Sequence, residues 1–117
     1  MINNREKGRE NEERAVIFLK NLGFEILERN YRCSFGEIDI IAKENEYLVF
    51  TEVKYRKNLN KGTPHEAINT KKQRRIYQTA KRYIYQKGYP EEFPCRFDSV
   101  VILNDTIELI RHSFGGI

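Results

Sequence analysis

A chain of 117 residues, 39% hydrophobic and 32% charged, has the size of one domain with a core two or three layers deep. No apolar run approaches the ~18 residues of a membrane span, and the polar start Met1-Ile2-Asn3-Asn4-Arg5 is no signal peptide. A cytoplasmic protein without membrane contact is expected. The net charge of +4 hides an asymmetry: Lys54 to Lys87 carries eleven basic residues against one acidic, a net of +10, and the remainder ten against sixteen, a net of −6. So basic a segment suits a polyanion such as nucleic acid, or is the solvated face of a helix.

In chain order, Asn3 or Asn4 can cap a first helix, with Glu6 three residues after Asn3. Ala15, Phe18, Leu19 and Leu22 form one apolar stripe, and Gly23 supplies the stop. Glu12 falls at the rim of the buried face, where spacing alone reads it as one more exposed acid beside Glu6, Glu10 and Glu13. Gly8, one turn earlier, would let another backbone approach closely. Phe24 to Glu28 reads as a strand, followed by a loop from Arg29 to Gly36.

The segments Gly36-Glu37-Ile38-Asp39-Ile40-Ile41 and Tyr47-Leu48-Val49-Phe50-Thr51-Glu52-Val53-Lys54, joined at Glu44-Asn45-Glu46, read as an antiparallel hairpin. Alternation puts Leu48, Phe50, Glu52 and Lys54 on one face. If Lys43 pairs with Leu48, the same register sets Ile41 opposite Phe50, Asp39 opposite Glu52 and Glu37 opposite Lys54. Two carboxylates so placed repel by roughly 4 kcal/mol at about 4 Å and an effective dielectric near 20. A cation between them would relieve that repulsion, so the pair reads as a metal site. A one-residue slip would send the acids to opposite faces.

A polar glycine-containing loop follows from Arg56 to Gly62. Thr63-Pro64-His65-Glu66 forms a capping box, with a second one at Thr70-Lys71-Lys72-Gln73. In the long basic helix Gln73, Ile76, Tyr77, Ala80, Tyr83 and Ile84 make the inward stripe. Lys71, Arg74, Arg75, Lys81 and Arg82 lie mostly outside it. Gln73 and Tyr77 either satisfy hydrogen bonds at the core edge or point polar tips into the site. Gly88-Tyr89-Pro90 ends the helix, and Arg96–Leu103 and Thr106–His112 read as strands joined at Asn104-Asp105. The tail Ser113-Phe114-Gly115-Gly116-Ile117 carries no readable pattern. Cys33 and Cys95 make no CxxC pair and are expected as reduced thiols; His65 and His112 read as structural or exposed. The expected fold is α/β, one domain over 1–117 with a mixed five-stranded sheet flanked by helices in the order α-β-β-β-α-β-β.

Asp39, twelve intervening residues and Glu52-Val53-Lys54 fit the D…(D/E)-x-K pattern of the PD-(D/E)XK nuclease superfamily. A fuller resemblance runs through Gly8…Glu12…Ala15, Arg29-Asn30-Tyr31-Arg32, Gly36-Glu37-Ile38-Asp39-Ile40-Ile41, Val49-Phe50-Thr51-Glu52-Val53-Lys54-Tyr55-Arg56, Lys72-Gln73-Arg74-Arg75-Ile76 and Arg96-Phe97-Asp98. These motifs resemble those of the YraN-like uncharacterised bacterial family, assigned to the restriction-endonuclease-like fold and similar to archaeal Holliday-junction resolvases. Asn11, where many members have glycine, and Ile38, where the superfamily name has proline, depart from the pattern. The resemblance implies Glu12, Asp39 and Glu52 as metal ligands and Lys54 as the catalytic lysine.

Phosphodiester hydrolysis needs an activated water and compensation of charge on phosphorus, which Mg²⁺ or Mn²⁺ held by hard oxygens supplies. The Val53 carbonyl is a further candidate ligand. Glu37 would hold Lys54 or join the ligand set, and Arg32, Arg56, Lys72 and Arg75 are candidate phosphate contacts. No base-reading motif is visible, so structure-selective or non-specific action is expected, on nucleic acid and first of all on DNA, branched or otherwise structured. The alternatives are a nucleic-acid-binding module without turnover and a protein-interaction domain using the basic helix. Cutting two strands favours a homodimer, for which Tyr47, Tyr55, Tyr83 and Tyr85 are candidate contacts.

Overall fold

The computed structural model describes residues 4–56 and 69–114. The capping box at Thr63–Glu66, with His65, and nearly all of the Arg56–Gly62 loop lie outside the described residues. The elements run α1 (Asn4–Asn21), β1 (Glu25–Cys33), β2 (Gly36–Glu44), β3 (Tyr47–Arg56), α2 (Thr70–Lys87), β4 (Cys95–Leu103) and β5 (Thr106–Ile110). The sheet has the order β1-β2-β3-β4-β5, antiparallel except for the parallel pair β3–β4, whose connection contains α2. This is the mixed five-stranded α/β arrangement that the sequence pattern predicts.

Alternation along the strands gives the sheet two apolar faces, each covered by one helix. On one face Ile41, Leu48, Phe50 and Phe97 pack with Ile76, Ala80 and Tyr83 of α2. On the other, Ile40, Ala42, Val49, Val100 and Ile102 pack with Ala15, Val16 and Leu19 of α1. Each Val, Leu, Ile or Phe among them, once buried, contributes about 1.5–3 kcal/mol. Tyr83 is in the core and is not available to a dimer interface, whereas Tyr85 is 78% exposed.

Several local expectations change. β1 continues through Cys33 instead of ending at Glu28. A register shift between Ile26 and Glu28 and a left-handed Asn30 (φ 52°) let the chain absorb its twist and keep pairing with β2. Leu22 is 47% exposed because α1 stops at Asn21, and Val16 takes the buried position instead. A Cβ on Gly8 would meet nothing within 4 Å, so among the described residues no backbone packs there. Asn69, not Thr70, caps α2: its side chain accepts the Lys72 N–H at 2.8 Å. Gly88 closes the helix in the left-handed region (φ 78°).

The hairpin end of the sheet is held by charge. The buried Arg96 guanidinium donates to both Asp98 oxygens, with Nη2 to Oδ2 at 2.9 Å, and to Glu44 at 2.6 Å; Arg111 donates to Glu44 at 2.7 Å. Arg96 also lies over the rings of Tyr47 and Phe24. Asp98 further accepts the His112 N–H at 3.1 Å, which ties the chain beyond β5 back to β4.

Candidate functional site

β2 and β3 pair in the expected register, with Lys43 opposite Leu48 and Ile41 opposite Phe50, but the ladder ends at Ile40–Thr51. Beyond it each strand follows its other neighbour. β2 stays with β1 through Gly36, and β3 stays with β4 through Arg56. The two strands part at Asp39 and Glu52. A cavity of about 550 Å³ lies there, lined by Gly36–Asp39, Phe50–Val53, Asn69, Lys71, Lys72, Arg75, Ile76 and Phe114.

One wall is acidic. Asp39 replaces the missing ladder acceptor: its Oδ2 takes the Val53 N–H at 2.8 Å. Burial pushes its carboxyl up to about 6; the Val53 hydrogen bond opposes this, and the charges of Glu12, Glu52 and Glu37 add to the rise. Glu52 is 13% exposed and pairs through Oε1 with Lys72 Nζ. Among the described residues its Oε2 is buried without a hydrogen-bond partner, a costly state for a carboxylate oxygen.

The start of α2 forms a second wall. Its first turn has no acidic residue, and Lys71, Lys72 and Arg75 line the cavity there. Cations at a helix N-terminus stand against the macrodipole, which favours negative charge at that end. The positive end of a helix dipole suits an anion.

The remaining predicted residues fall around this centre. Glu12, half-buried on α1, is near enough to act on Asp39 by charge. Among the described residues, however, no three of His, Cys, Asp and Glu converge to hold a metal ion, so a three-carboxylate set is not assembled. Lys54 is half-buried two positions beyond Glu52 on the same face, and is not among the residues lining the cavity. Glu37 lines the cavity, but it is bonded to Arg32 of β1 and not set opposite Lys54, because β2 has already left β3. Arg32 and Arg56 are exposed away from the lining, with Arg56 bonded to the Tyr55 carbonyl at 2.9 Å. Gln73 is half-buried beside the site. Tyr77 faces a neighbouring hollow with Phe97 and Tyr89, and not this one.

The sequence reading missed Lys71 and Asn69 as lining residues, and missed Phe114 entirely. The first two had a signal in the helix start. Phe114 had none, because its place is set by long-range hydrogen bonds.

The profile of the uncharacterised protein family UPF0102, the YraN family, matches residues 11–102. A UPF0102 protein of Lachnoclostridium phytofermentans is 53% identical over 113 residues, covering 97% of this chain and 96% of that protein. UPF0102 proteins of two Clostridium botulinum strains, 657 and Hall, are 47% and 46% identical over 117 residues, each alignment covering 95% of both chains. Among the described residues no helix is long and apolar enough to cross a membrane.

Proposed function

The chain belongs to the uncharacterised protein family UPF0102, and we propose that it hydrolyses phosphodiester bonds of nucleic acid, DNA first, with Mg²⁺ or Mn²⁺. The observation that supports this reading most is the mixed lining of one cavity: two carboxylates and a cationic helix start share it, with Lys72 already reaching Glu52. A nuclease site on a restriction-endonuclease-like fold has the same need for a cation on one side and a phosphate on the other.

The donor set fits a hard divalent ion. Asp39, Glu52 and the Val53 carbonyl offer only oxygen, and the buried Oε2 of Glu52 lacks any other partner. Mg²⁺ is commonly held by one or two carboxylates, with water and substrate phosphate completing its shell. Two close acids with Glu12 behind them therefore suffice. The ion, when bound, supplies a water of lowered pKa and offsets charge on the phosphoryl oxygens. Lys72 and Arg75 then hold the phosphate, and Lys71 extends the contact along the backbone. Lys54 is the next residue on the Glu52 face and stands outside the cavity lining; with substrate bound its Nζ would donate to the attacking water and offset charge as it develops.

The test is a Mg²⁺/Mn²⁺ cleavage panel over duplex, single-stranded, flap and four-way DNA and the RNA equivalents. Wild type should cut at least one substrate, and Asp39→Asn, Glu52→Gln and Lys54→Ala should not. Equal cleavage by wild type and Asp39→Asn across the panel would sink the enzymatic reading. One observation favours a second reading, a binding module without turnover: Lys72 already neutralises one oxygen of Glu52. That module binds nucleic acid in a salt-dependent way and yields no metal-dependent product.

A further inference from the structure

The segment after β5 is fastened at several points. Arg111 bonds Glu44, the His112 N–H bonds Asp98, the Ser113 N–H bonds the Phe97 carbonyl at 2.8 Å, and the Ser99 hydroxyl bonds Ser113 Oγ at 2.8 Å. The result is the position of one aromatic side chain. Phe114 rests on Phe97 with ring centroids 5.1 Å apart, is half-buried, and forms part of the wall of the Asp39–Glu52 cavity. Among the described residues the other large apolar side chains lining that cavity, Ile38, Phe50 and Ile76, belong to the core and are almost wholly buried. Phe114 alone of these lies outside the regular elements and is brought in by the tail.

A metal ion and a phosphate need carboxylates and cations; neither needs an aromatic ring. A nucleotide does, because its base presents a flat apolar face a short distance from its phosphate. We propose that Phe114 is a stacking platform for a nucleobase adjoining the scissile phosphate. The preferred substrate is then nucleic acid whose base is already unstacked there (a single strand, a flap or a junction) over intact duplex. This rests on the phosphodiesterase reading and adds a substrate-binding residue to it. The competing role for Phe114 is a purely structural one, as a lid on Phe97.

The chain contains no tryptophan, so Phe114→Trp places the variant's one tryptophan, excited selectively over tyrosine at long wavelength, at the proposed platform. The probes are a fluorescein-labelled oligothymidylate and an abasic strand of equal length. The buffer contains Ca²⁺, which binds the same oxygen donors. Binding is read by anisotropy and stacking by quenching of the tryptophan. The expected result is quenching by the oligothymidylate only, with Phe114→Leu weakening its binding about 5- to 150-fold, the equivalent of about 1–3 kcal/mol. The abasic strand should bind wild type and Phe114→Leu alike. Binding of both strands without selective quenching, or an equal loss for both in Phe114→Leu, overturns the platform and leaves the nucleic-acid reading standing. Failure of both strands to bind any of the proteins overturns the platform and the nucleic-acid reading together. Thermal melting of the two variants checks that the tail has kept its fold.

Discussion

Replacing Asp39 by Asn should stabilise the metal-free protein at neutral pH. The carboxyl is held at about 6 instead of 3.8, first by burial and then by the charges of Glu12, Glu52 and Glu37. At about 1.4 kcal/mol per pH unit, that rise corresponds to about 3 kcal/mol of native-state penalty for the ionised form. Asp39 is only half-buried, and solvent screening leaves about 1–3 kcal/mol. An acid whose folded value lies above its unfolded one binds its proton more tightly when folded. Stability is therefore gained as pH falls from about 6 towards 4 and lost as pH rises through that window. Asparagine stays neutral and its Oδ1 still accepts the Val53 N–H, so the variant should gain about 5–10 °C in melting temperature at pH 7 and almost nothing at pH 4. Mg²⁺ should reverse the order, stabilising wild type by about 2.7 kcal/mol at a hundredfold excess over its dissociation constant and leaving Asp39→Asn unmoved. Melting curves from pH 4 to 8 in EDTA, repeated with Mg²⁺, decide the matter. A difference between the two proteins that is the same at pH 4 and pH 7 would refute the reasoning.

Lys72→Met removes a cation that competes for Glu52. Because Lys72 is about half exposed, the pair is worth at most about 1 kcal/mol, so Mn²⁺ should bind about 3- to 5-fold more tightly by calorimetry while oligonucleotide binding weakens. Weaker Mn²⁺ binding would show that Lys72 supports the metal site and does not compete with it. Arg96→Met leaves the fully buried Asp98 without its guanidinium and should cost about 3–5 kcal/mol in urea unfolding. A cost below about 1 kcal/mol would mean that the network around Glu44 and Arg111 is self-sufficient.

The strands that carry the site were legible because their alternation is unambiguous. Leu48 and Phe50 on one face and Val49 on the other fix the register against Ile41 and Lys43, and a slip would expose that whole set. The second half of β1 was not legible. It is an edge strand whose outer residues, Arg29, Asn30 and Arg32, are exposed, so no apolar alternation marks it; a left-handed asparagine midway reads locally as a turn. The stripe of α1 was extended one turn too far because periodicity assigns Leu22 a face without knowing where the helix stops. For α2, Asn69 and Thr70 are both good caps, and only the hydrogen bond to Lys72 distinguishes them.

The acidic pair itself was legible, but the reason for a cation was only partly so. A continuous ladder would have set Asp39 directly opposite Glu52 and left the repulsion unanswered. Instead the ladder stops one pair short. Asp39 gains the Val53 N–H, and Glu52 gains Lys72. Proximity of the two acids therefore needs no metal to explain it. What the described residues leave uncompensated is narrower: the raised Asp39 carboxyl and the unpartnered Oε2 of Glu52 on one wall, and Lys71 at the positive end of α2, with Arg75 a turn further on, on the other. The first wall calls for a cation and the second for an anion. A lone metal ion would satisfy the carboxylates and still leave positive charge at the helix start. A lone phosphate would satisfy the helix and crowd the carboxylates. A divalent ion together with a phosphodiester answers both walls at once, so metal and nucleic acid should bind with positive coupling, each raising the affinity for the other by the same factor. Mn²⁺ titrations with and without saturating oligonucleotide measure that factor, and a value of one would mean that the two walls serve separate purposes.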